Sequence, residues 1–600
     1  MAACGDDEKF PLDSELVHPC FFQDESFQPG FLETVKDLQK NGVLQDVVLE
    51  VEGRQFPCHR LVLSVASPYF RAMFTSGMAE SRQKTVILQG LNAAVFKEIL
   101  SYIYSGCLQV SLDRVQHLYQ AADLLQLDYV RDTCSSYMDM EVGCSTCVDL
   151  YKFGDLFSLD TVRESCLQCI YKHFTKVSSS EEFCSLSVDQ LTEIISHDEL
   201  DVKEETTVWE AVVRWVQHSR EDRTHHIPSI LPHIRFDLLT PRDMVAILDH
   251  PLVREDPGRS TIRNVVNESS NLKRRHGMDT LEMAIIPVYG SGQMTDQMVF
   301  MNPRAGEYIT WSHRPENYEE NPVPIIAMTV TSDNDIYILQ EVTENIDENQ
   351  LNMLKYNHAR NRWEDAVIFP IFLPKPVNHV HYSLFLVEVD RILYFLAVDS
   401  YNTGASALVH IEKYNQHVDR WHDCSQLLID KVTRPIGDIL VVSSGPYIYF
   451  LTNAEMHSYD PSQDRWSKLT PPKLMPGICT ATSLGTEIFC TDKQFSKVMA
   501  YDTESAHWRV LPGWPNRGPD RAANKYPCLF VLESQLHVWL ETCVMSTDTV
   551  DGSLVFVYDG SEGAWRDLNA TLPIKDYDTR VHVARFHLPR LTARGLHEDT

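Results

Sequence analysis

Four cysteines between residues 144 and 169 have the spacing of a metal site. The stretch CSTCVDLYKFGDLFSLDTVRESCLQC contains two Cys-x-x-Cys pairs, Cys144 with Cys147 and Cys166 with Cys169, and eighteen residues separate the pairs. Four thiolates at such a spacing are typical of a tetrahedral zinc site. The alternative is that these side chains fall on buried faces of helices, where a free cysteine acts as a small hydrophobic group.

The helical period of the surrounding residues favours the second interpretation. Cysteines and apolar residues recur at intervals of three and four, as on the core-facing side of an amphipathic helix. The two stripes are Cys144, Cys147, Val148 and Tyr151, and Val162, Cys166, Cys169, Ile170 and Phe174. A zinc knuckle generally needs a tight turn after the Cys pair, whereas Val148 and Ile170 continue the pattern here. The sequence therefore predicts buried thiols, with no metal and no cofactor.

No other motif in the sequence indicates catalysis. The sequence contains no Gly-rich phosphate loop, no His-Glu-x-x-His motif and no Gly-x-Ser-x-Gly elbow. We therefore expect a protein that binds other proteins and is not an enzyme, although a fold alone does not exclude catalysis.

Composition and charge narrow the class of partner. With 600 residues the chain is too long for one hydrophobic core. Its 84 acidic residues outnumber its 53 basic residues, and the formal net charge of −31 disfavours nucleic acids and anionic membranes as partners. MAACGDDEKF does not have the pattern of a secretory signal, and no stretch reaches the roughly twenty apolar residues that cross a bilayer. Together with 15 cysteines, this indicates a reducing compartment, and we expect the cytoplasm or the nucleus.

The spacing of apolar residues divides the chain into regions. Residues 1–26 are acidic and without a pattern, so we expect a disordered tail. Residues 27–138 alternate short strands and helices, as in DVVLEVEGRQFPCHRLVL, which predicts one compact α+β domain. Residues 141–255 predict an all-α domain, with a core-facing stripe in VWEAVVRWVQH. A polar linker is expected over 256–276.

A repeat of Tyr and Trp fills residues 277–590, before a short tail at 591–600. Five units place a Trp seven residues after a Tyr, and an apolar strand precedes each. The pairs are Tyr356 and Trp363, Tyr414 and Trp421, Tyr459 and Trp466, Tyr501 and Trp508, and Tyr558 and Trp565. With a sixth, weaker unit around VFMNPRAGEYITW, a period of about 40 to 50 residues predicts an all-β propeller of six blades. We interpret the Tyr and Trp side chains as packing residues between blades.

These regions resemble the BTB–BACK–Kelch family over nearly the whole chain after about residue 30. LQDVVLEVEGRQFPCHRLVLSVASPYFRAMFTSGM is similar to the BTB signature, SSSEEFCSLSVDQLTEIISHDELDVKEETTVWEAVVRWVQH resembles the BACK domain, and the Tyr-x6-Trp units resemble Kelch repeats. SDNDIYI and RHGMDTLEM are most similar to the group called kelch repeat and BTB domain-containing proteins. Five units lack the usual Gly-Gly pair of a Kelch blade, so no known Kelch target is transferred to this chain.

The resemblance implies a homodimer formed through the amino-terminal helix. Phe31, Leu32 and Val35 are the candidate interface residues. Asp46 and Arg60 match a charged pair that BTB domains place near the dimer interface. The alternative is that the apolar stripe of this helix packs only against its own domain.

The resemblance also implies a binding site for cullin-3. BTB proteins that recruit cullin-3 carry a hydrophobic-x-Glu motif in the loop before a strand, and Met78-Ala79-Glu80 stands at that place. Met78 would fill an apolar pocket on the partner, and Glu80 would accept hydrogen bonds at its rim. In this family the first BACK helices form the second half of the contact, which gives residues 144–174 a role without a metal.

The function implied by the family is that of a substrate-recognition adaptor in a cullin-3 RING ubiquitin ligase. The propeller would hold the target protein and the BTB dimer would hold cullin-3, so that proximity favours ubiquitin transfer. The main alternative is a scaffold that binds cytoskeletal or client proteins without ubiquitylation. A transcriptional repressor is a weaker alternative, because the sequence contains no zinc finger and no basic DNA-binding segment. The sequence does not identify the target.

Overall fold

A computed structural model describes most of the chain in two compact units. The described residues are 27–77, 79–254, 273–290, 293–304, 307–312, 325–341, 350–372, 381–400, 407–416, 418–429, 439–453, 455–469, 477–515, 521–523, 527–544, 549–570, 576–577, 581–589 and 591. The tail predicted over 1–26, most of the linker predicted over 256–276 and nearly all of the tail predicted over 591–600 lie outside them. The first unit contains the residues up to Ile195 together with Ala211–His226, and the second contains Ser196–Glu210 together with the residues from Ile227 onward. No helix among the described residues is long and apolar enough to span a membrane.

The amino-terminal part of the first unit is the predicted α+β domain. Its helices and strands are α1 (Phe27–Lys40), β1 (Val47–Val51), β2 (Arg54–Cys58), α2 (Arg60–Ala66), α3 (Pro68–Thr75), β3 (Thr85–Leu88), α4 (Ala93–Ser105), α5 (Val115–Leu124) and α6 (Asp128–Met140). Strand β1 lies between the other two strands, antiparallel to β2 and parallel to β3. Glu52 and Gly53 join β1 to β2 with φ angles of 49° and 74°, the left-handed conformation that a two-residue hairpin requires. The fully buried side chains of Leu49, Phe96 and Ile99 contribute to the domain core.

Four helices follow in the first unit: α7 (Cys147–Phe157), α8 (Asp160–Lys172), α9 (Phe174–Val177) and α10 (Val188–Ser196). Helices α7 and α8 pack so closely that a Cβ atom at Gly154 would lie only 3.3 Å from the backbone nitrogen of Arg163. Glycine, which has no Cβ atom, permits this approach. The carboxylate of Glu193 in α10 accepts hydrogen bonds from the Tyr151 hydroxyl and the Arg163 guanidinium. One side chain of α10 therefore fixes α7 and α8 together.

The remaining helices complete the predicted all-α region. They are α11 (Thr206–His218), α12 (Arg220–Arg223), α13 (Ile227–Ile230), α14 (Pro241–Asp249) and α15 (Pro251–Arg254). Helix α11 buries Val208, Val212 and Trp215, the stripe that the spacing predicts. The indole N–H of Trp215 donates a hydrogen bond of 2.9 Å to the Leu186 carbonyl, so the largest buried ring also satisfies its polar atom.

Antiparallel strands form the rest of the second unit. They are β4 (Thr280–Gly290), β5 (Gln293–Asn302), β6 (Glu307–Ser312), β7 (Ile325–Val330), β8 (Ile336–Glu341), β9 (Gln350–Asn357), β10 (Arg362–Asp365), β11 (Ile371–Phe372), β12 (His381–Val389), β13 (Ile392–Ser400), β14 (Ala407–Asn415), β15 (Arg420–Asp423), β16 (Leu427–Ile429), β17 (Leu440–Ser444), β18 (Tyr447–Leu451), β19 (Met456–Asp460), β20 (Arg465–Leu469), β21 (Ile478–Leu484), β22 (Glu487–Asp492), β23 (Lys497–Asp502), β24 (His507–Pro512), β25 (Arg521–Ala523), β26 (Cys528–Leu532), β27 (Gln535–Val544), β28 (Thr549–Asp559), β29 (Ala564–Asp567), β30 (Asp576–Tyr577) and β31 (His582–His587). Within the described residues they build six sheets, each with the order of a propeller blade. The predicted six-bladed propeller is confirmed.

The last strand of the chain closes the ring. Strand β31 pairs with β4, so the carboxyl-terminal strand is the inner strand of the first blade. The inner strands β31, β7, β12, β17, β21 and β26 contact one another in that order and return to β31. Asn334 fixes the closing contact between the first two blades, because its amide donates to the Arg585 carbonyl at 2.8 Å and accepts from the Arg585 N–H at 2.7 Å. A closed ring covers the faces of every blade, which one isolated blade cannot do.

A buried histidine makes the stability of the propeller depend on pH. His537 in β27 is fully buried, and its Nδ1 atom donates a hydrogen bond of 2.9 Å to the Gln535 carbonyl. Its Nε2 atom is buried without a hydrogen-bond partner. Burial and, to a smaller extent, the positive charge of Arg304 lower the pKa of His537 to about 4.

We expect the propeller to lose stability as the pH falls from 6.5 toward 4. Below its ordinary pKa the imidazole becomes charged in the unfolded chain, whereas it stays neutral in the folded propeller, so protons favour unfolding. Between pH 7.5 and 5.5 this group should contribute a loss of about 1.4 kcal/mol. The measurement is the unfolding free energy of the propeller in wild type and in His537→Gln, whose difference cancels the other titrations. Parallel pH profiles for the two proteins would contradict the assignment.

Candidate protein-interaction sites

The predicted cullin-binding motif follows helix α3. Met78 lies outside the described residues. Glu80 is half-buried in a single 3-10 turn, Ala79–Ser81, between α3 and β3. A carboxylate in this position is accessible to a partner while the backbone around it is held in a defined turn.

Arg60 holds this turn in place. Its guanidinium donates to the Ser81 carbonyl at 2.8 Å and to the Glu80 carbonyl at 3.4 Å, and it also contacts the Gln83 carbonyl. The same group lies 4.8 Å from the centre of the Phe74 ring, in the geometry of a cation–π contact. Arg60 is therefore a positioning residue for Glu80, which its sequence position did not reveal.

The predicted charged pair of Asp46 and Arg60 has a different geometry from an ion pair between side chains. The Asp46 carboxylate accepts a hydrogen bond of 2.8 Å from the backbone N–H of Arg60, while the guanidinium of Arg60 turns to the Glu80 loop. Asp46 thus caps the start of α2, and the two residues connect β1, α2 and the turn that carries Glu80.

The predicted dimer helix exposes apolar side chains. Phe31 and Leu32 are 58% and 40% exposed, and Val35 is half-buried. Helix α2 adds Leu61 and Val65, one turn apart and 76% and 69% exposed, which the sequence analysis did not single out. Apolar exposure of this extent is typical of a surface that a partner covers. Four of the seven residues in RLVLSVA are large and apolar, so the sequence alone does not show which of them are exposed.

The Tyr and Trp of each repeat unit lie directly opposite each other on the two outer strands of a blade. The register pairs Tyr356 with Trp363, Tyr414 with Trp421, Tyr459 with Trp466, Tyr501 with Trp508 and Tyr558 with Trp565. The ring centroids are 4.9 to 5.4 Å apart. The spacing of seven follows from a hairpin whose turn has one residue in the left-handed conformation, five positions after the Tyr. These turn residues are Asn361, Asp419, Asp464, Ala506 and Gly563.

Several of the Trp side chains also join neighbouring blades. The indole N–H of Trp421 donates to the Phe369 carbonyl at 2.9 Å, that of Trp466 to Ser425 at 2.7 Å and that of Trp565 to Pro512 at 2.7 Å. Each acceptor belongs to the preceding blade. The repeat therefore serves packing within and between blades.

Two rims of the propeller are distinguished by strand direction. Because neighbouring strands are antiparallel, the connections from first to second and from third to fourth strands lie on one rim, and the others lie on the opposite rim. Thr280 begins the second strand of the first blade, and the Lys203 ammonium donates to its carbonyl at 2.7 Å. The segment Ser196–Glu210 therefore contacts the first of these rims through Lys203.

A buried ion pair fixes this segment to the start of the propeller. Glu205 and Arg275 are 1% and 0% exposed, and the guanidinium binds the carboxylate through two hydrogen bonds of 2.9 and 2.6 Å. A second buried guanidinium, that of Arg235, binds Asp198 at 2.6 Å, and the backbone N–H of Arg235 donates to Glu205. Arg275 falls within the predicted linker, so this part of it is a structural element of the second unit.

The four cysteines of the opening motif differ in burial. Cys147 and Cys166 are fully buried, as the apolar stripes predict, whereas Cys144 and Cys169 are half-buried. Helix α7 begins at Cys147, so the helix predicted through Cys144 was wrong at its start. Cys144 lies instead in a turn, where the Thr146 hydroxyl accepts a hydrogen bond of 2.9 Å from the Gly143 N–H. Burial raises the pKa of the Cys166 thiol to about 12.

The fold is that of a protein with an amino-terminal α+β domain, a helical region and a propeller. The chain matches the BTB/POZ domain family over residues 35–141 and the BACK family, described as BTB And C-terminal Kelch, over residues 147–249. It belongs to the BTB–BACK–Kelch family of kelch repeat and BTB domain-containing proteins.

Relatives in this family match most of the chain. Human kelch repeat and BTB domain-containing protein 2 is 30% identical over 471 residues, which are 77% of this chain and 73% of the relative. Protein 8 of Xenopus tropicalis is 27% identical over 92% of this chain and 91% of its own length. Human protein 12 is 24% identical over 81% of this chain and 84% of its own length. The predicted family is confirmed.

Proposed function

We propose that the chain is a non-catalytic substrate adaptor of a cullin-3 ubiquitin ligase, acting in the cytoplasm or the nucleus. The BTB and BACK domains bind cullin-3, the BTB domain forms a homodimer, and the propeller binds the target protein. Bringing the target near the charged conjugating enzyme raises the effective concentration of its lysines, and no bond is made or broken by this chain.

The anchored turn at Glu80 is the observation that carries the proposal. Arg60 fixes the carbonyls of this turn, so Glu80 is offered to a partner in one geometry with little conformational entropy to lose on binding. The outer face of the first BACK helices extends the surface, where Leu156 of α7 is 74% exposed. We expect the target on the rim opposite Thr280, because Lys203 contacts the rim on which Thr280 lies.

Substitution of both motif residues should abolish cullin-3 binding. In Met78→Ala with Glu80→Ala the apolar anchor and the hydrogen-bond acceptor are both lost, and we expect at least about a 30-fold weaker Kd, the cost of removing one hot spot. The measurement is co-purification from cell lysate, followed by the Kd for purified cullin-3. Wild-type capture of cullin-3 by the double variant would overturn the proposed contact and favour a scaffold that acts without ubiquitylation.

Loss of the Arg60 side chain should weaken the binding of cullin-3 indirectly, through the turn that carries Glu80. Arg60→Ala frees the turn at Glu80, and we expect about a tenfold weaker Kd for cullin-3. Arg71→Ala is the matched control, because Arg71 donates to the Ser64 and Val65 carbonyls of α2 and makes no described contact with the Glu80 turn. Equal affinities for wild type and Arg60→Ala would show that the turn needs no anchor.

A further inference from the structure

Three metal-ligating side chains converge at the junction between the BTB and BACK domains. The ligand atoms of Cys144, Cys169 and His173 all lie within 4.8 Å of one another. Cys169 and His173 are one turn apart at the end of α8, so they share a face of that helix, and Cys144 comes from the turn before α7. Two chain segments 25 residues apart, 144 and 169, thus bring soft ligands to one point.

Cys147 lies outside this 4.8 Å group but beside it, and is therefore the candidate for a fourth ligand. Its thiol hydrogen-bonds to the side chain of Cys169 and lies 3.8 Å from the Cys144 carbonyl. Cys147 is the first residue of α7 and directly follows the turn that carries Cys144. The resulting order is Cys-x2-Cys followed by Cys-x3-His, a spacing typical of structural zinc sites.

We propose that Cys144, Cys147, Cys169 and His173 bind a structural zinc ion. Three thiolates and one imidazole are a common tetrahedral set for this metal, with Zn–S and Zn–N distances of about 2.3 and 2.1 Å. Ligand atoms in such a tetrahedron are about 3.5 to 3.8 Å apart, so those of Cys144, Cys169 and His173 need to approach one another by about 1 Å, with the Cys147 thiol drawn toward them.

This site differs from the one suggested by the two Cys-x-x-Cys pairs. Cys166 lies outside the cluster, whereas His173, which belongs to neither pair, points into it with Cys144 and Cys169. Zinc would tie the turn at 143–146 to the end of α8 and so fix the entrance to the BACK domain.

The test is metal analysis of the untagged, full-length chain purified without chelators. We expect one zinc ion per chain in wild type, and a tetrahedral thiolate spectrum when cobalt replaces zinc. His173→Ala and Cys169→Ser should lose the metal to background. Cys166→Ser is the matched control from the same helix and the same Cys-x-x-Cys pair, and exposed Cys107→Ser is a second control; both should keep it.

Zinc X-ray absorption of wild type keeps the test decisive if a variant fails to fold. The proposal predicts three sulfur ligands and one nitrogen ligand, whereas the two Cys-x-x-Cys pairs would give four sulfurs. A zinc-free wild-type chain that gives no cobalt spectrum would overturn the proposal, as would a four-sulfur site. Loss of zinc in Cys166→Ser with retention in His173→Ala would also overturn it. None of these outcomes depends on cullin-3 binding.

Discussion

Glu205→Gln should destabilise the second unit by about 3–5 kcal/mol, the cost of leaving a buried charge without its partner. The substitution keeps the size of the side chain and removes only its charge. Arg275 is fully buried and its guanidinium forms two hydrogen bonds with Glu205, so the neutral variant leaves this cation uncompensated. Burial and the positive charge of Arg275 also lower the pKa of Arg235. The loss of the Glu205 charge would therefore destabilise the Arg235 cation as well.

Glu204→Gln is the matched control for this prediction. Glu204 is the preceding residue and carries the same carboxylate, but it is exposed, so its loss should change stability by less than about 0.5 kcal/mol. Hydrogen exchange provides a local measurement, because the amides of His276 and Gly277 donate to the Asp198 and Leu200 carbonyls at 2.9 and 3.2 Å. These amides should lose protection in Glu205→Gln alone. Equal protection in both variants would show that the ion pair does not hold the segment.

Trp565→Ala should be nearly as costly, with a loss of about 3–5 kcal/mol of propeller stability. Trp565 is 6% exposed, its ring lies 5.2 Å from those of Phe495 and Tyr558, and its indole N–H bonds to Pro512 of the preceding blade. The substitution opens a cavity between two blades and leaves the Pro512 carbonyl without its donor. Trp565→Phe keeps most of the packing and should cost about 1–2 kcal/mol for the lost hydrogen bond and the smaller ring.

A less buried Trp of the same repeat supplies the comparison. Trp421 also faces the Tyr of its own unit, and its indole N–H also donates to a carbonyl of the preceding blade, that of Phe369. Its ring, however, is only half-buried. Trp421→Ala should therefore cost clearly less than Trp565→Ala, measured as the shift of the thermal unfolding midpoint of the propeller. Equal shifts would mean that the repeat residues act through the hairpin alone and not through burial between blades.

The regular part of this molecule could be predicted from sequence because its signals are local. The Tyr-x6-Trp spacing is the length of one hairpin, and Asn361, Asp419 and Asp464 sit where that hairpin needs a left-handed residue. The stripe Val208, Val212 and Trp215 likewise marks the buried side of α11. Such patterns depend on residues a few positions apart, so no knowledge of the tertiary structure is needed to find them.

The features that sequence analysis missed depend on contacts between distant residues. Glu205 and Arg275 are 70 positions apart, and an arginine next to a polar stretch gives no sign of burial. Arg60 was assigned to a pair with Asp46, but a long side chain with several donors can bind carbonyls of a turn 20 residues away. The repeated Cys spacing does not mark His173, because this residue lies one helical turn after the last cysteine of the motif.

The most direct test of the central proposal is the mass of the complex that the full-length chain forms with purified cullin-3. Light scattering after size-exclusion chromatography should show two copies of this chain with two copies of cullin-3, because each BTB domain of a homodimer offers one turn centred on Glu80. The double variant Met78→Ala with Glu80→Ala should remain a dimer of this chain alone. A wild-type chain that elutes separately from cullin-3 would contradict the assignment of this protein as a cullin-3 adaptor.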